Sequence, residues 1–180
     1  MHFNNTKKKV DVCNSVMKRL RRDGYVTADT TVHPYNYFVN PAPIKKDSSK
    51  LLHFKAIVDF YIELCRYKKP STFEIEPKVG EKGAIEPDIF MIWQNSPFYV
   101  EIQRTLYSQK VMDAKIERYK KYFYGESWKF EQWQPKGKKF FPYIWVLTDH
   151  VYKIDMQPLK IFQTISVNEF LNLVKKEYIK

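Results

Sequence analysis

Residues 86–104 read EPDIFMIWQNSPFYVEIQR, two apolar runs that each carry one acid, Asp88 and Glu101. The residues around them are strand formers. An ionised carboxylate on a half-buried sheet costs about several kcal/mol unless something compensates it. Two compensations suit this pattern. Either the acids share a divalent cation, or they are structural, with Asp88 following Pro87 at a strand mouth and Glu101 paired with Arg104 or a helix lysine.

The metal reading depends on register. With Asn95-Ser96 as the turn, Gln94 faces Pro97, Asp88 lies opposite Gln103, and Phe90 lies opposite Glu101. Period-two alternation then puts Asp88, Glu101 and Gln103 on one face. The acids become diagonal neighbours about 7–8 Å apart at the backbone. A one-residue slip would send Asp88 to the other face. A hard cation such as Mg²⁺ or Mn²⁺ takes one or two carboxylates plus water and phosphate oxygens, and so retains positions for chemistry.

The surrounding elements are legible from periodicity. LLHFKAIVDFYIELCRYKK predicts a helix whose face is Phe54, Ile57, Val58, Tyr61, Leu64 and Cys65, with Asp47, Ser48 or Ser49 as cap and Pro70 as stop. STFEIEPK (71–78) alternates as a strand and leads into the acidic hairpin. SQKVMDAKIERYKKYFY (108–124) predicts a second helix with Met112, Ile116, Tyr119 and Phe123 on its apolar face. PYIWVLTD (142–149) is apolar enough to be buried on both faces. KIFQTIS (160–166) predicts a further strand. SVNEFLNLVKKEY (166–178) predicts a closing helix with Ser166 and Glu169 in capping-box spacing.

Ahead of these lies a basic arm, 1–46, with nine Lys or Arg against three Asp. Val10, Cys13, Met17 and Leu20 make a helical stripe, Lys18, Arg19, Arg21 and Arg22 crowd its end, and Gly24 stops it. YVT (25–27) and YNYFV (35–39) follow as short strands. A basic helix followed by a hairpin looks like the last part of a winged helix-turn-helix. The alternative is a solvated helix capping the main domain, which we place at 47–180.

The EPD stretch, thirteen residues from Asp88 to Glu101 and the EIQ that follows resemble the PD-(D/E)xK nuclease superfamily over about residues 50–150. LLHFKAIVDFYIEL, EPDIFMIW, FYVEIQRTLYSQKVMDAKIERYKKYF and YIWVLTD also look like the replication-relaxation proteins of plasmids and other mobile elements. The resemblance implies an α/β, restriction-endonuclease-like core of helix, three-strand meander, helix and strand, behind a partial winged-helix arm. It implies a DNA endonuclease or nickase in which Asp88 and Glu101 hold Mg²⁺ or Mn²⁺. Gln103 stands where the family has lysine, and it orients water without supplying positive charge. Lys110, the nearest lysine on the next helix, would substitute. The alternative is a catalytically inactive DNA-binding or recruitment protein of the same fold.

The charge suits a polyanionic partner or an anionic membrane surface. The chain carries a net +11, with 17% aromatic residues. Lys115, Arg118, Lys136, Lys138 and Lys139 join the four arm cations as candidate DNA contacts, with Trp128, Phe130 and Trp133 interleaved for base stacking. A solvated helix face and core-packed tryptophans account for the same pattern. Replication or conjugation proteins, or a second copy of the chain, are further expected partners.

His53, at a helix start, could reach the metal face, although a structural role is the commoner one there; Glu63 reads as solvated, and Glu86 as the best further acid beside Asp88. His33 and His150 receive no role. Cys13 and Cys65 lack metal spacing and read as ordinary thiols. No P-loop, GxGxxG or Cys/His cluster is present. No stretch reaches membrane-span length and no apolar signal region follows MHFNNTKKKV, so the expectation is a cytoplasmic protein without a membrane partner.

Overall fold

The computed structural model describes residues 8–45, 48–80 and 83–178, without the side chains of 177 and 178. Contacts divide the chain into two units that meet between Leu52 and His53. The Asp47 cap alternative falls outside the described residues.

In the first unit, α1 (Lys9–Arg22) precedes an antiparallel hairpin of β1 (Val26–Asp29) and β2 (Asn36–Val39), with Val26 opposite Val39. Gly24 at φ +79° turns the chain out of the helix, and Tyr25 N–H donates to Leu20 O at 2.9 Å. That conformation is one a side chain disfavours. Ala28 and Phe38 are the buried residues of the hairpin. No α1 residue is fully buried. Cys13, Val16, Met17 and Leu20 are half-buried, and Val10, expected on the stripe, is 70% exposed.

The second unit is a five-stranded sheet between helices, in the order β3 (Thr72–Ile75), β4 (Ile89–Trp93), β5 (Ser96–Ile102), β6 (Tyr143–Leu147), β7 (Ile161–Thr164). The first three strands form an antiparallel meander; β5, β6 and β7 run parallel. A parallel return from β5 to β6 needs a long crossover, and α3 (Gln109–Tyr124) supplies it. Alternation sorts the side chains of the sheet into two cores. Ile89, Met91, Trp93, Phe98, Val100, Ile102 and Trp145 pack with Ile57, Phe60 and Leu64 of α2 (Leu51–Tyr67) and with Val167 and Phe170 of α4 (Val167–Tyr178). Phe90, Tyr99, Ile144 and Val146 pack with Met112, Ile116, Tyr119 and Tyr122 of α3.

Local signals explain the helix ends. Ser108 caps α3 by accepting from Val111 N–H, and Gly125 closes it. Ser166 Oγ accepts from Glu169 N–H at 3.1 Å, while the Glu169 carboxylate accepts from Ile165 N–H at 2.7 Å. One expected face is corrected. Phe60 is buried in α2, while Val58, expected on the apolar face, is 51% exposed. Among the described residues, no helix is long and apolar enough to cross a membrane.

The hairpin register differs from the expectation. The turn residues are Gln94 and Asn95, both left-handed at φ 49° and 64°, and Trp93 pairs with Ser96. Two consecutive positive-φ residues suit the right-handed twist of a two-residue hairpin. Phe90 therefore faces Tyr99, not Glu101, and Ile89 faces Val100. Extending the ladder one step places Asp88 opposite Glu101, not opposite Gln103. The turn moves by a whole residue, so every pairing moves by two and the faces are unchanged.

Candidate active site

Several chain segments end at one rim of the sheet. Because β5 and β6 are parallel, the loops after both strands emerge there, beside the start of antiparallel β4. Open α/β sheets place ligands outside the carboxyl ends of their strands. Asp88 stands just before β4, Glu101 one residue before the end of β5, and His53 in the first turn of α2.

Glu101 shares the α3 side of the sheet and is 3% exposed. One carboxylate oxygen accepts a short hydrogen bond from Lys115 Nζ, and the other accepts from Tyr119 OH at 2.6 Å. Lys115 and Tyr119 lie one turn apart on α3 and so present to the same spot. Burial pushes the Glu101 carboxyl above its ordinary range, Asp88 adds to this, and Lys115 and Tyr119 pull against it. Burial opposes the Lys115 ammonium, yet contact with Glu101 outweighs it and holds Lys115 above its ordinary value. Burial, reinforced by Glu101, keeps the Tyr119 hydroxyl protonated far into alkali, so it remains a donor.

Asp88 is the more accessible acid, with 20% of its side chain exposed. Its Oδ2 accepts from the Ile102 N–H at 2.6 Å, which fastens the acid to β5 next to Glu101. Its Oδ1 lies 3.1 Å from His53 Nε2. His53, read from sequence as a structural helix-start residue, is thus in contact with a candidate catalytic carboxylate. Gln103 shares this side of the sheet but donates a short hydrogen bond to Tyr152 OH, which also accepts from Tyr107 N–H at 3.0 Å. Gln103 Oε1 is buried without a hydrogen-bond partner among the described residues.

The lysine at the acids is Lys115, not Lys110, which is exposed in the first turn of α3. The sequence pattern suggests Lys115 as a DNA contact and Tyr119 as part of the apolar core, whereas both side chains meet Glu101. The available signal was chemical: a buried tyrosine hydroxyl needs a partner, and Glu101 was the acid on that side. Glu63, expected to be solvated, accepts from Val167 N–H at 3.0 Å and holds the start of α4. Glu86 is exposed, and the His150 ring packs edge-on against Tyr152 at 4.7 Å.

Of the candidate DNA contacts, Lys18, Arg19, Arg21 and Arg22 are exposed on α1, with Arg22 bonded to Asp23 at 2.8 Å. In the second unit Arg118, Lys136, Lys138 and Lys139 are exposed; Lys139 Nζ donates to Pro135 O at 2.8 Å. Trp128 is 6% exposed and Trp133 packs on Phe90 at 5.1 Å, so of the interleaved rings only Phe130 is presented outward.

The donor chemistry fits Mg²⁺ or Mn²⁺ in kind: two carboxylates on adjacent strands at a partly open rim are what such a cation takes with water and phosphate oxygens. Each acid already has partners, and Lys115 offsets part of their charge. Among the described residues there is no group of three or more His, Cys, Asp or Glu arranged to hold a metal, so a cation would rest on this pair and on exogenous ligands. Searches of protein-family models, curated proteins and solved structures found no match to this chain.

Proposed function

We propose that this chain acts on DNA as a metal-assisted phosphodiesterase, an endonuclease or nickase of the PD-(D/E)xK kind serving replication or relaxation of a plasmid or related mobile element. The observation that carries the reading is the Asp88–Glu101 pair at the sheet rim with Lys115 bonded to Glu101. The order helix, antiparallel three-strand meander, helix, parallel strand supports it as the arrangement the resemblance implies.

In this reading Asp88 and Glu101 hold Mg²⁺ or Mn²⁺, which when bound polarises the scissile phosphate and lowers the pKa of a coordinated water. Lys115 supplies the positive charge that Gln103 lacks and stands beside the phosphate as negative charge builds on it. Tyr119 and the Ile102 N–H fix the two carboxylates so that little reorganisation accompanies the reaction. His53, in contact with Asp88 Oδ1, orients that acid. Exposed cations of both units supply sequence-independent attraction for the DNA backbone.

The inactive-fold alternative is favoured by one observation: both Glu101 oxygens are occupied by Lys115 and Tyr119. Incubation of supercoiled plasmid with the protein, with and without Mg²⁺ or Mn²⁺, separates the two. Metal-dependent nicks or breaks, lost in Asp88→Ala and Glu101→Ala with DNA binding retained, are expected. Salt-sensitive binding without cleavage at any metal concentration supports the inactive reading.

A further inference from the structure

The aromatic and basic residues at the C-terminal end of α3 are held on a rigid base. Phe123, Trp128 and Phe141 pack together, with centroid separations of 5.8, 5.2 and 5.4 Å, and Trp128 Nε1–H donates to Phe123 O at 2.9 Å. Gln134 pins the loop that follows: its Nε2 donates to Trp128 O and Phe140 O, and its Oε1 accepts from Phe140 N–H. From the border of this cluster, rings turn outward where burial was available to their chain neighbours. Tyr124, next to Phe123, is 68% exposed, and Phe130, two residues past Trp128, is 88% exposed.

Beside the same turn lies a concave pocket of about 400 Å³, lined by Arg118, Lys121, Tyr122 and Ser127 with Gly83, Ala84 and Gly125. Arg118 and Lys121 are exposed and have no acidic partner among the described residues. They lie three and six residues beyond Lys115, a rise of about 4.5 and 9 Å along the α3 axis from that lysine. A cationic hollow next to outward-facing rings is suited to a chain of alternating phosphates and bases. The bases must be unpaired, because within a duplex their π-faces are already stacked on each other, whereas a ring on a fixed base gains from a free face.

We propose that this end of α3 and the loop after it bind an unpaired nucleic-acid strand, with phosphate in the Arg118–Lys121 pocket and bases stacked on Phe130 and Tyr124. The inference rests on the nucleic-acid reading above and narrows its substrate to DNA with single-stranded character. It also moves the stacking role from Trp128 and Trp133, which are packed inward, to rings that are free to stack.

Fluorescence anisotropy in EDTA tests it, using a labelled oligothymidylate of about twelve nucleotides and a duplex of equal length. Phe130→Ala combined with Tyr124→Ala, both at exposed positions, is expected to weaken single-strand binding about tenfold or more while leaving duplex binding within about twofold. Arg118→Ser with Lys121→Ser is expected to flatten the slope of log affinity against log salt by about 1.4 for the single strand. Circular dichroism identical to the parent shows that the variants fold. Unchanged single-strand affinity, an equal loss for duplex, or no single-strand binding by the parent protein overturns the inference. Metal-dependent plasmid cleavage alongside any of those results would leave the proposed function standing and remove only this surface.

Discussion

At Glu101 a carboxylate nearly withdrawn from water is held by one ammonium and one hydroxyl, and removing either partner exposes what the other contributes. Lys115→Met leaves the carboxylate buried without its cation and is expected to cost about 3–5 kcal/mol in urea unfolding. Adding Glu101→Gln to that variant should restore a large part of the loss, because a neutral amide needs no counter-charge. If Lys115→Met alone costs under about 1 kcal/mol, the pair is not the buried ion pair described here. The sequence marked Glu101 as an anomaly and left a helix lysine open as its partner. Which lysine was not legible, since Lys110, Lys115 and Lys120 differ in how α3 is rotated and slid along the sheet, and that placement is set by Met112, Ile116, Tyr119 and Tyr122 together. His53 was legible as able to reach the metal face, but its structural role ranked first, because its contact with Asp88 spans elements far apart in sequence.

Among the elements, the hairpin is where sequence and structure part. Neither Gln94 nor Asn95 is a glycine, yet both adopt positive φ, so the usual Asn-Gly mark of such a turn is absent and Asn95-Ser96 reads as well. Restoring the mark makes a test. Gln94→Asn with Asn95→Gly is expected to raise stability by about 1 kcal/mol, seen as a higher thermal midpoint, because it relieves two disfavoured conformations without touching the ladder. A lowered midpoint would contradict the Gln94-Asn95 turn. Helices were more legible than register because their signals are local and redundant: Ser108 and Gly125 bracket α3, and Ser166 with Glu169 opens α4. β6 was legible because YIWVL is apolar on both sides, and its central residues are buried against both cores. What periodicity does not give is which neighbour a helix flank meets, hence the exchange of Val58 for Phe60 in α2.

For the molecule as a whole, buried tyrosines set an alkaline limit. Burial, with Tyr122 and Glu131 nearby, raises the Tyr99 hydroxyl, and burial with Glu131 raises Tyr122. The folded chain therefore holds these protons more tightly than the unfolded chain. That contribution to stability is intact below the ordinary tyrosine value of about 10 and is lost as pH rises through the raised values. The Tyr99 hydroxyl has no well-formed hydrogen bond among the described residues. Tyr99→Phe is accordingly expected to be neutral within about 1 kcal/mol at neutral pH and to lessen the fall in stability above about pH 10. Unfolding curves across that range check both halves; a loss of several kcal/mol at neutral pH would show that the hydroxyl has a partner. The net charge of +11 acts at the same scale, favouring association with polyanions without selecting a site. The arm and the sheet-bearing unit each carry exposed cations, so the proposed DNA binding is expected to weaken steeply with salt.

The proposed function makes the Asp88–Glu101 rim a metal site for phosphodiester chemistry. Anomalous diffraction from crystals grown with Mn²⁺ decides whether the ion binds there. A peak within coordination distance of both carboxylates, with Lys115 Nζ released from Glu101 and the peak lost in Asp88→Asn, is the expected result. Crystals saturated with Mn²⁺ that show no density at the rim, with Lys115 still bonded to Glu101, would contradict it.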